Sequence, residues 1–266
     1  MKRLMIIAVA LLLASPVHAQ LEPSNDMGVT YGHVHLNVSD MEFHKRLWVQ
    51  HFGGVLVERG PLTAIRLPGM LVALSDREAT SGSRDTVMDH FGFKVRDIDD
   101  FLSKWRAAGL PVMSEFTGAE GFPNAYVMVP DGIRVELQED TELPVEVAAY
   151  HIHFFTPEYD ELLDWYIETF GLARFKRGTI ETTANAPGMN LSFGNSETSR
   201  TVTRGTAIDH IGFEIDDLET FCRKLESEGI EFEVPFREVP SIGLKIAFLV
   251  DPAGVRVELT EGYDEY

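Results

Sequence analysis

Four times along the chain a strand-like segment carrying a histidine opens a similar unit: HVHLNV from His33, HFGFKV from His90, HIHFFT from His151 and HIGFEI from His210. The second and fourth units close on Gly-x-Arg-x-Glu-Leu, at Gly132 to Leu137 and Gly254 to Leu259. A repeat of this size constrains the architecture before any local propensity does, because each unit must bury its apolar face against a neighbour.

Each unit reads as strand, helix and three further strands. In the first, His33, His35 and Asn37 alternate with Val34, Leu36 and Val38, so the polar and apolar side chains lie on opposite faces of a strand. Asp40 and the pair Gly53-Gly54 bracket the following helix as start and stop signals. Units one and three share a constant offset of 118, from His33 to His151, Trp48 to Tyr166 and Phe52 to Phe170, so the halves are duplicates. The polar, proline-containing stretch from Glu139 to Glu146 suits a short linker between them. The expected fold is α+β: four βαβββ modules in two domains, residues 30–141 (modules 30–76 and 87–141) and 148–263 (modules 148–195 and 206–263). The preference for short connections predicts that consecutive modules pair.

Met1-Lys2-Arg3, the apolar run Leu4 to Ala14 and Val17-His18-Ala19 have the form of a secretory signal cut after Ala19, which predicts a periplasmic or secreted protein. No later apolar run approaches membrane length. The single cysteine, Cys222, excludes an internal disulfide and lies in a helical pattern without a basic neighbour that would activate it. A formal charge of −19 repels phosphate backbones and anionic lipid, so neither nucleic acid nor membrane is an expected partner. A small molecule is the expected partner.

The His33 to Asp40 opening, the Leu47-Trp48…Phe52-Gly53 and Trp165-Tyr166…Phe170-Gly171 helix ends and the ending Asp251 to Leu259 resemble the vicinal oxygen chelate superfamily. That superfamily includes glyoxalase I, extradiol dioxygenases, methylmalonyl-CoA epimerase and bleomycin-resistance proteins. The resemblance covers nearly all of the chain after residue 19. It implies two cups of curved sheet, with metal ligands His33, His90 and Glu136 in one and His151, His210 and Glu258 in the other. Two imidazoles and a carboxylate suit a divalent first-row ion and leave positions open. Members with four protein ligands add one at the places held here by Ala73 and Ser192, neither a ligand. The open three-ligand set implies iron(II), with manganese(II) or zinc(II) as alternatives, and the dioxygenase branch.

His35 and His153 share the inward strand face and are candidate acid–base groups, substrate partners or further ligands. Arg134 and Arg256 would reach solvent or an acidic neighbour more readily than substrate. Tyr126, ten residues before Glu136, matches an extradiol-enzyme tyrosine, whereas Phe248 stands at that place in the second half. It marks the Glu136 set as the one expected to turn over. The histidine those enzymes carry upstream of the tyrosine is replaced by Thr117 and Val239, so His35 or His153 would have to supply its proton transfer. The expected function is an exported metal enzyme acting on a small oxygenated compound, with extradiol-like cleavage leading. A glyoxalase-like lyase or isomerase and a non-catalytic sequestering protein stay open; the thiol cosubstrate of glyoxalase, a cytosolic compound, counts against the lyase. N-terminal sequencing of protein from its native host should begin at Gln20; an intact Met1 would remove the export argument.

Overall fold

The computed structural model of the protein describes residues 21–266, so the expected signal and its cleavage site lie outside the described residues. Module one comprises β1 (Val29–Val38), α1 (Met41–Phe52), β2 (Val55–Arg59), β3 (Leu62–Leu67) and β4 (Met70–Asp76). Module two comprises β5 (Met88–Val95), α2 (Ile98–Ala107), β6 (Val112–Thr117), β7 (Pro123–Val129) and β8 (Ile133–Glu139). Module three follows as β9 (Val147–Thr156), α3 (Tyr159–Phe170), β10 (Ala173–Arg177), β11 (Ile180–Ala186) and β12 (Met189–Asn195). Module four holds β13 (Ile208–Ile215), α4 (Leu218–Ser227), β14 (Phe232–Val239), β15 (Leu244–Val250) and β16 (Arg256–Glu261).

The local signals act as their chemistry dictates. Asp40, Asp97 and Asp217 accept from the backbone N–H of Phe43, Asp100 and Thr220 and cap α1, α2 and α4. Gly53 and Gly171 stop α1 and α3 in the left-handed region, with φ of 71° and 65°. Among the described residues no helix is long and apolar enough to cross a membrane.

The four modules form as expected, but their pairing does not. One eight-stranded sheet runs β14-β15-β16-β13-β1-β4-β3-β2 and joins modules one and four; the other runs β10-β11-β12-β9-β5-β8-β7-β6 and joins modules two and three. Strand pairing therefore crosses the halves. Connection length gives the reason: residues 140–146 between β8 and β9 make the shortest inter-module link, against 77–87 and 196–207 for the other two. The stretch read as a domain boundary is thus the tight link inside one sheet. The two longer links run side by side, with Thr80 N–H donating to Gly205 O at 2.8 Å and Ala207 N–H to Ser81 O at 2.9 Å.

Consecutive modules meet instead through their apolar faces. Trp48 on α1 stacks on Phe91 of β5, and Phe170 on α3 stacks on Phe213 of β13 at 4.4 Å between ring centres. Both pairs are fully buried and belong to one core that runs between the sheets. Helices and core thus hold each half together while hydrogen-bonded strands join the halves.

Asp251, in the β15–β16 turn, ties this core to the turn. Its Oδ1 accepts from the N–H of Ala253 (2.9 Å) and Val255 (2.8 Å), and its Oδ2 accepts from the Tyr166 hydroxyl on α3 at 2.9 Å. Burial raises its pKa from 3.8 to about 6, against the opposing pull of these donors. The folded state therefore binds the proton more tightly than the unfolded chain. This carboxyl's contribution to stability falls as pH rises from about 4 to about 6, and the full penalty applies above that window. Asp251→Asn keeps the shape and removes the titration. Its stability relative to wild type should improve by about 2 kcal/mol between pH 4 and pH 7 in urea denaturation. A difference independent of pH would refute the assignment.

Candidate metal centre

In the sheet of modules one and four, the inward faces of β1, β13 and β16 converge. Gly212 of β13 lies opposite His33 on one side and Glu258 on the other. The Nε2 atoms of His33 and His210 stand 3.0 and 3.1 Å from the same Oε2 of Glu258. All three side chains are buried. The imidazole of His33 occupies the space a side chain at 212 would need: a Cβ there would lie 2.0 Å from its Cε1.

Modules two and three repeat the arrangement. The Nε2 atoms of His90 and His151 lie 3.0 and 3.2 Å from Glu136 Oε2, and a Cβ on Gly92 would lie 2.4 Å from His151 Cε1. The six expected ligands therefore form two triads with the first-strand histidines exchanged. His33 joins His210 and Glu258, and His151 joins His90 and Glu136, because the sheets pair across the halves.

The Asp preceding each second-strand histidine fixes its ring. His210 Nδ1–H donates to Asp209 Oδ1 at 2.6 Å, and His90 Nδ1–H to Asp89 Oδ1 at 2.8 Å. Asp209 also accepts from Gly205 N–H at 2.7 Å and from Arg256 Nη1 at 3.3 Å; Asp89 accepts from Arg134 Nη1 at 2.7 Å and Arg200 Nη1 at 3.0 Å. Arg134 and Arg256 thus pair with acidic neighbours, the role favoured from sequence. With Nδ1–H committed, each Nε2 faces a carboxylate oxygen, which is repulsive unless a proton or a cation lies between.

Charge follows the same logic. Burial works against the ionised form of Glu258, but the hydrogen bonds and charges of His210 and His33 outweigh it and hold the carboxyl well below its usual range. Burial would likewise lower the His210 pKa, yet hydrogen bonds with Asp209 and Glu258 raise it. These residues fit a divalent ion. Donors at roughly 2.1 Å from a common ion in adjacent octahedral positions stand about 3.0 Å apart. Among the described residues the Nδ1 atoms of His33 and His151 have no partner, unlike those of His210 and His90.

His35 and His153 complete four-residue groups, His33–His35–His210–Glu258 and His90–Glu136–His151–His153, whose donor atoms all lie within 4.8 Å of one another. Each has its Nε2 engaged elsewhere. His35 exchanges a hydrogen bond with Ser75 Oγ at 2.7 Å, whereas His153 accepts from Arg177 Nη2 at 2.7 Å. Tyr126 sits edge-on to His90 at 5.1 Å, stacked on Phe116 and under the Arg134 guanidinium. Burial and the Glu136 charge raise its phenol pKa, so it stays a neutral donor.

The first cup, of modules one and four, and the second, of modules two and three, differ in what surrounds equal ligands. Arg177 is 2% exposed and projects into the second cup, where it also bonds Ser192 Oγ at 3.3 Å. Its counterpart 118 residues earlier, Arg59, turns away and lies over the Tyr266 ring at 4.9 Å. The first cup opens into a cavity of about 320 Å³ lined by His35, His210, Glu258 and the arginines 77, 237 and 256. A larger surface groove of about 690 Å³ carries Glu22, Glu214 and Glu261 but no histidine, so it lies apart from this chemistry.

Asp89, Asp209, Gly92, Gly212 and Arg177 were not singled out from sequence. The first four had a signal there, the repeated Asp-His-x-Gly at 89–92 and 209–212. Arg177 had none, since Arg59 stands at the equivalent place.

The profile described as the Glyoxalase/Bleomycin resistance protein/Dioxygenase superfamily matches residues 30–137 and 149–259. No curated protein matches the chain. Among solved structures, glyoxalase I from Zea mays superposes with a TM-score of 0.72 at 17% identity, covering 89% of this chain and 94% of that one. A Bacillus subtilis protein described as a candidate dioxygenase superposes with a TM-score of 0.70 at 13% identity, covering 91% and 86%. At these identities the likeness is one of fold.

Gly212→Ala tests the geometry. A methyl group there displaces the His33 ring, so metal retained after dialysis against a weak chelator should fall at least about tenfold at that site, with an unchanged circular dichroism spectrum. Retention equal to wild type would show that His33 is not a ligand.

Proposed function

Because the chain belongs to the glyoxalase/bleomycin resistance protein/dioxygenase superfamily, we propose that it is an exported divalent-metal enzyme whose first cup acts on a small oxygenated compound, with iron(II) as the ion and extradiol-like oxidative cleavage as the reaction. Manganese(II) or zinc(II) would satisfy the same donors. Export rests on the sequence of residues 1–19.

One observation carries the reading: His33, His210 and Glu258 converge on one point beside an open cavity, while the Nε2 of the neighbouring His35 is held by Ser75. An ion on three such donors would supply Lewis acidity and keep positions for two adjacent substrate oxygens and dioxygen. The protein's part is to fix the His210 ring through Asp209, to exclude bulk water by burying the triad, and to hold His35 through Ser75 beside the triad, where it would take a substrate hydroxyl proton. The second cup has Tyr126 but presents Arg177 to its inward histidine, which supports placing turnover beside Glu258 instead of Glu136.

A redox-neutral lyase or isomerase is the second reading, supported by the proximity of His35 to the other three donors. Were it a fourth ligand, the substrate oxygens would fill the remaining positions and leave none for dioxygen.

An oxygen electrode separates the readings. Anaerobically iron-loaded protein, offered catechols, hydroxylated aromatic acids and related enediols, should consume oxygen only with substrate. Glu258→Gln should lower the rate at least about a hundredfold, and Glu136→Gln should retain most of it. Turnover of α-carbonyl compounds without oxygen uptake would establish the lyase or isomerase, and binding without turnover a sequestering protein.

A further inference from the structure

Arginines and lysines are outnumbered in this chain, 23 against 42 aspartates and glutamates. Among the described residues only Arg46, Arg59, Arg66, Arg77, Arg84 and Arg237 lack an acidic side-chain partner, and most basic groups near the cups are committed. Arg256 serves Asp209 and Glu233, Arg134 and Arg200 serve Asp89, and Arg204 pairs with Glu233. Arg77 and Arg237 both border the 320 Å³ cavity with His35, His210 and Glu258. Neither side chain has an ion pair or hydrogen bond among the described residues.

The two come from opposite arms of the sheet. Arg77 directly follows β4 of module one, and Arg237 lies on β14, the edge strand of module four. Both are exposed, so their charge is solvated without a ligand and can be redirected to an incoming anion at little cost. In the other cup the constant offset of 118 puts Asn195 where Arg77 stands. There Phe116 pairs with Asn124 as Arg237 pairs with Ile246, so an aromatic ring replaces the second cation. At these two repeat positions the unpaired cations belong to one cup only, which argues against a feature shared by both cups.

We infer that the first cup selects substrates bearing a carboxylate, held by Arg77 and Arg237 while two adjacent oxygens face the His33–His210–Glu258 triad. Guanidinium groups recognise carboxylates through paired N–H donors, and a site carrying a divalent ion and one glutamate keeps positive charge that adds to the attraction. The cavity is at the small end of ligand pockets, which limits the substrate to a compact acid such as a hydroxylated aromatic or enolic one. Against the −19 background this is a local reversal of sign, and it focuses anions on the one opening where they react.

The inference rests on the metal reading of this cup, and the test separates the two. Catechol and 3,4-dihydroxybenzoate share the chelating oxygens and differ by one carboxylate. Titration calorimetry on anaerobically iron(II)-loaded protein should show the acid binding at least about tenfold more tightly than catechol. In the Arg77→Gln/Arg237→Gln double variant that ratio should fall below about twofold while iron content holds. Equal affinities in wild type, or a preference that survives in the double variant, would overturn the carboxylate site and leave the metal reading standing. Binding of neither probe to iron-loaded protein would overturn the metal-chelate reading beneath it.

Discussion

The antiparallel seam between β1 and β13, mirrored between β5 and β9, puts a histidine of one half beside a glycine of the other: His33 beside Gly212, His151 beside Gly92. A side chain on either glycine would occupy the imidazole's volume. The ring can therefore lie flat across its neighbour strand and reach a glutamate on the strand beyond, Glu258 or Glu136. Sheet closure and site assembly are one event. Neither triad exists within a single half, so folding of the whole chain precedes any metal chemistry.

Placing carboxylates and imidazoles in such a seam would be unfavourable without compensation. Isolated buried charge costs several kcal/mol, and a pair offsets this only when its remaining hydrogen-bonding positions are filled. The chain fills them in sequence: arginine to Asp209 or Asp89, aspartate to His210 or His90, and histidine to glutamate. Alternating charge makes each row self-consistent up to its last link, where three donors face one another. A cation at that point completes the alternation, so the rows prepare a place for metal at the floor of each cup.

Much of this was legible in the sequence, because period-two alternation states which face a side chain takes. The shared inward direction of the six candidate ligands and of His35 and His153 follows from it, whereas the pairing of Arg134 and Arg256 with acidic neighbours follows only from the general cost of an unpaired guanidinium. The adjacent strand was not legible. Alternation within His33 to Val38 is the same whether β5 or β13 lies alongside, and the choice depended on relative linker length, with 140–146 the tight connection. Reading that polar stretch as a boundary reversed its meaning. The role of the glycines was hidden for a related reason, since a close approach between strands is visible only once the partner is known.

Duplication gave both cups the same donors, and their divergence lies in the wall. Arg59 and Arg177 are one repeat position with two fates: the first is drawn out to the Tyr266 ring, the second is held inside by His153, Ser192 and the nearby Glu120. A guanidinium within the cup raises local positive charge and opposes a second cation there, whereas guanidinium groups at the rim leave the floor free and attract anions. Moving one charge along a wall thus changes what a cup accepts while every ligand stays in place. On the proposed reading, the same donor set would serve metal and substrate in the cup of modules one and four and stand as an ion-pair cluster in that of modules two and three, a difference that ligand identity alone would never reveal.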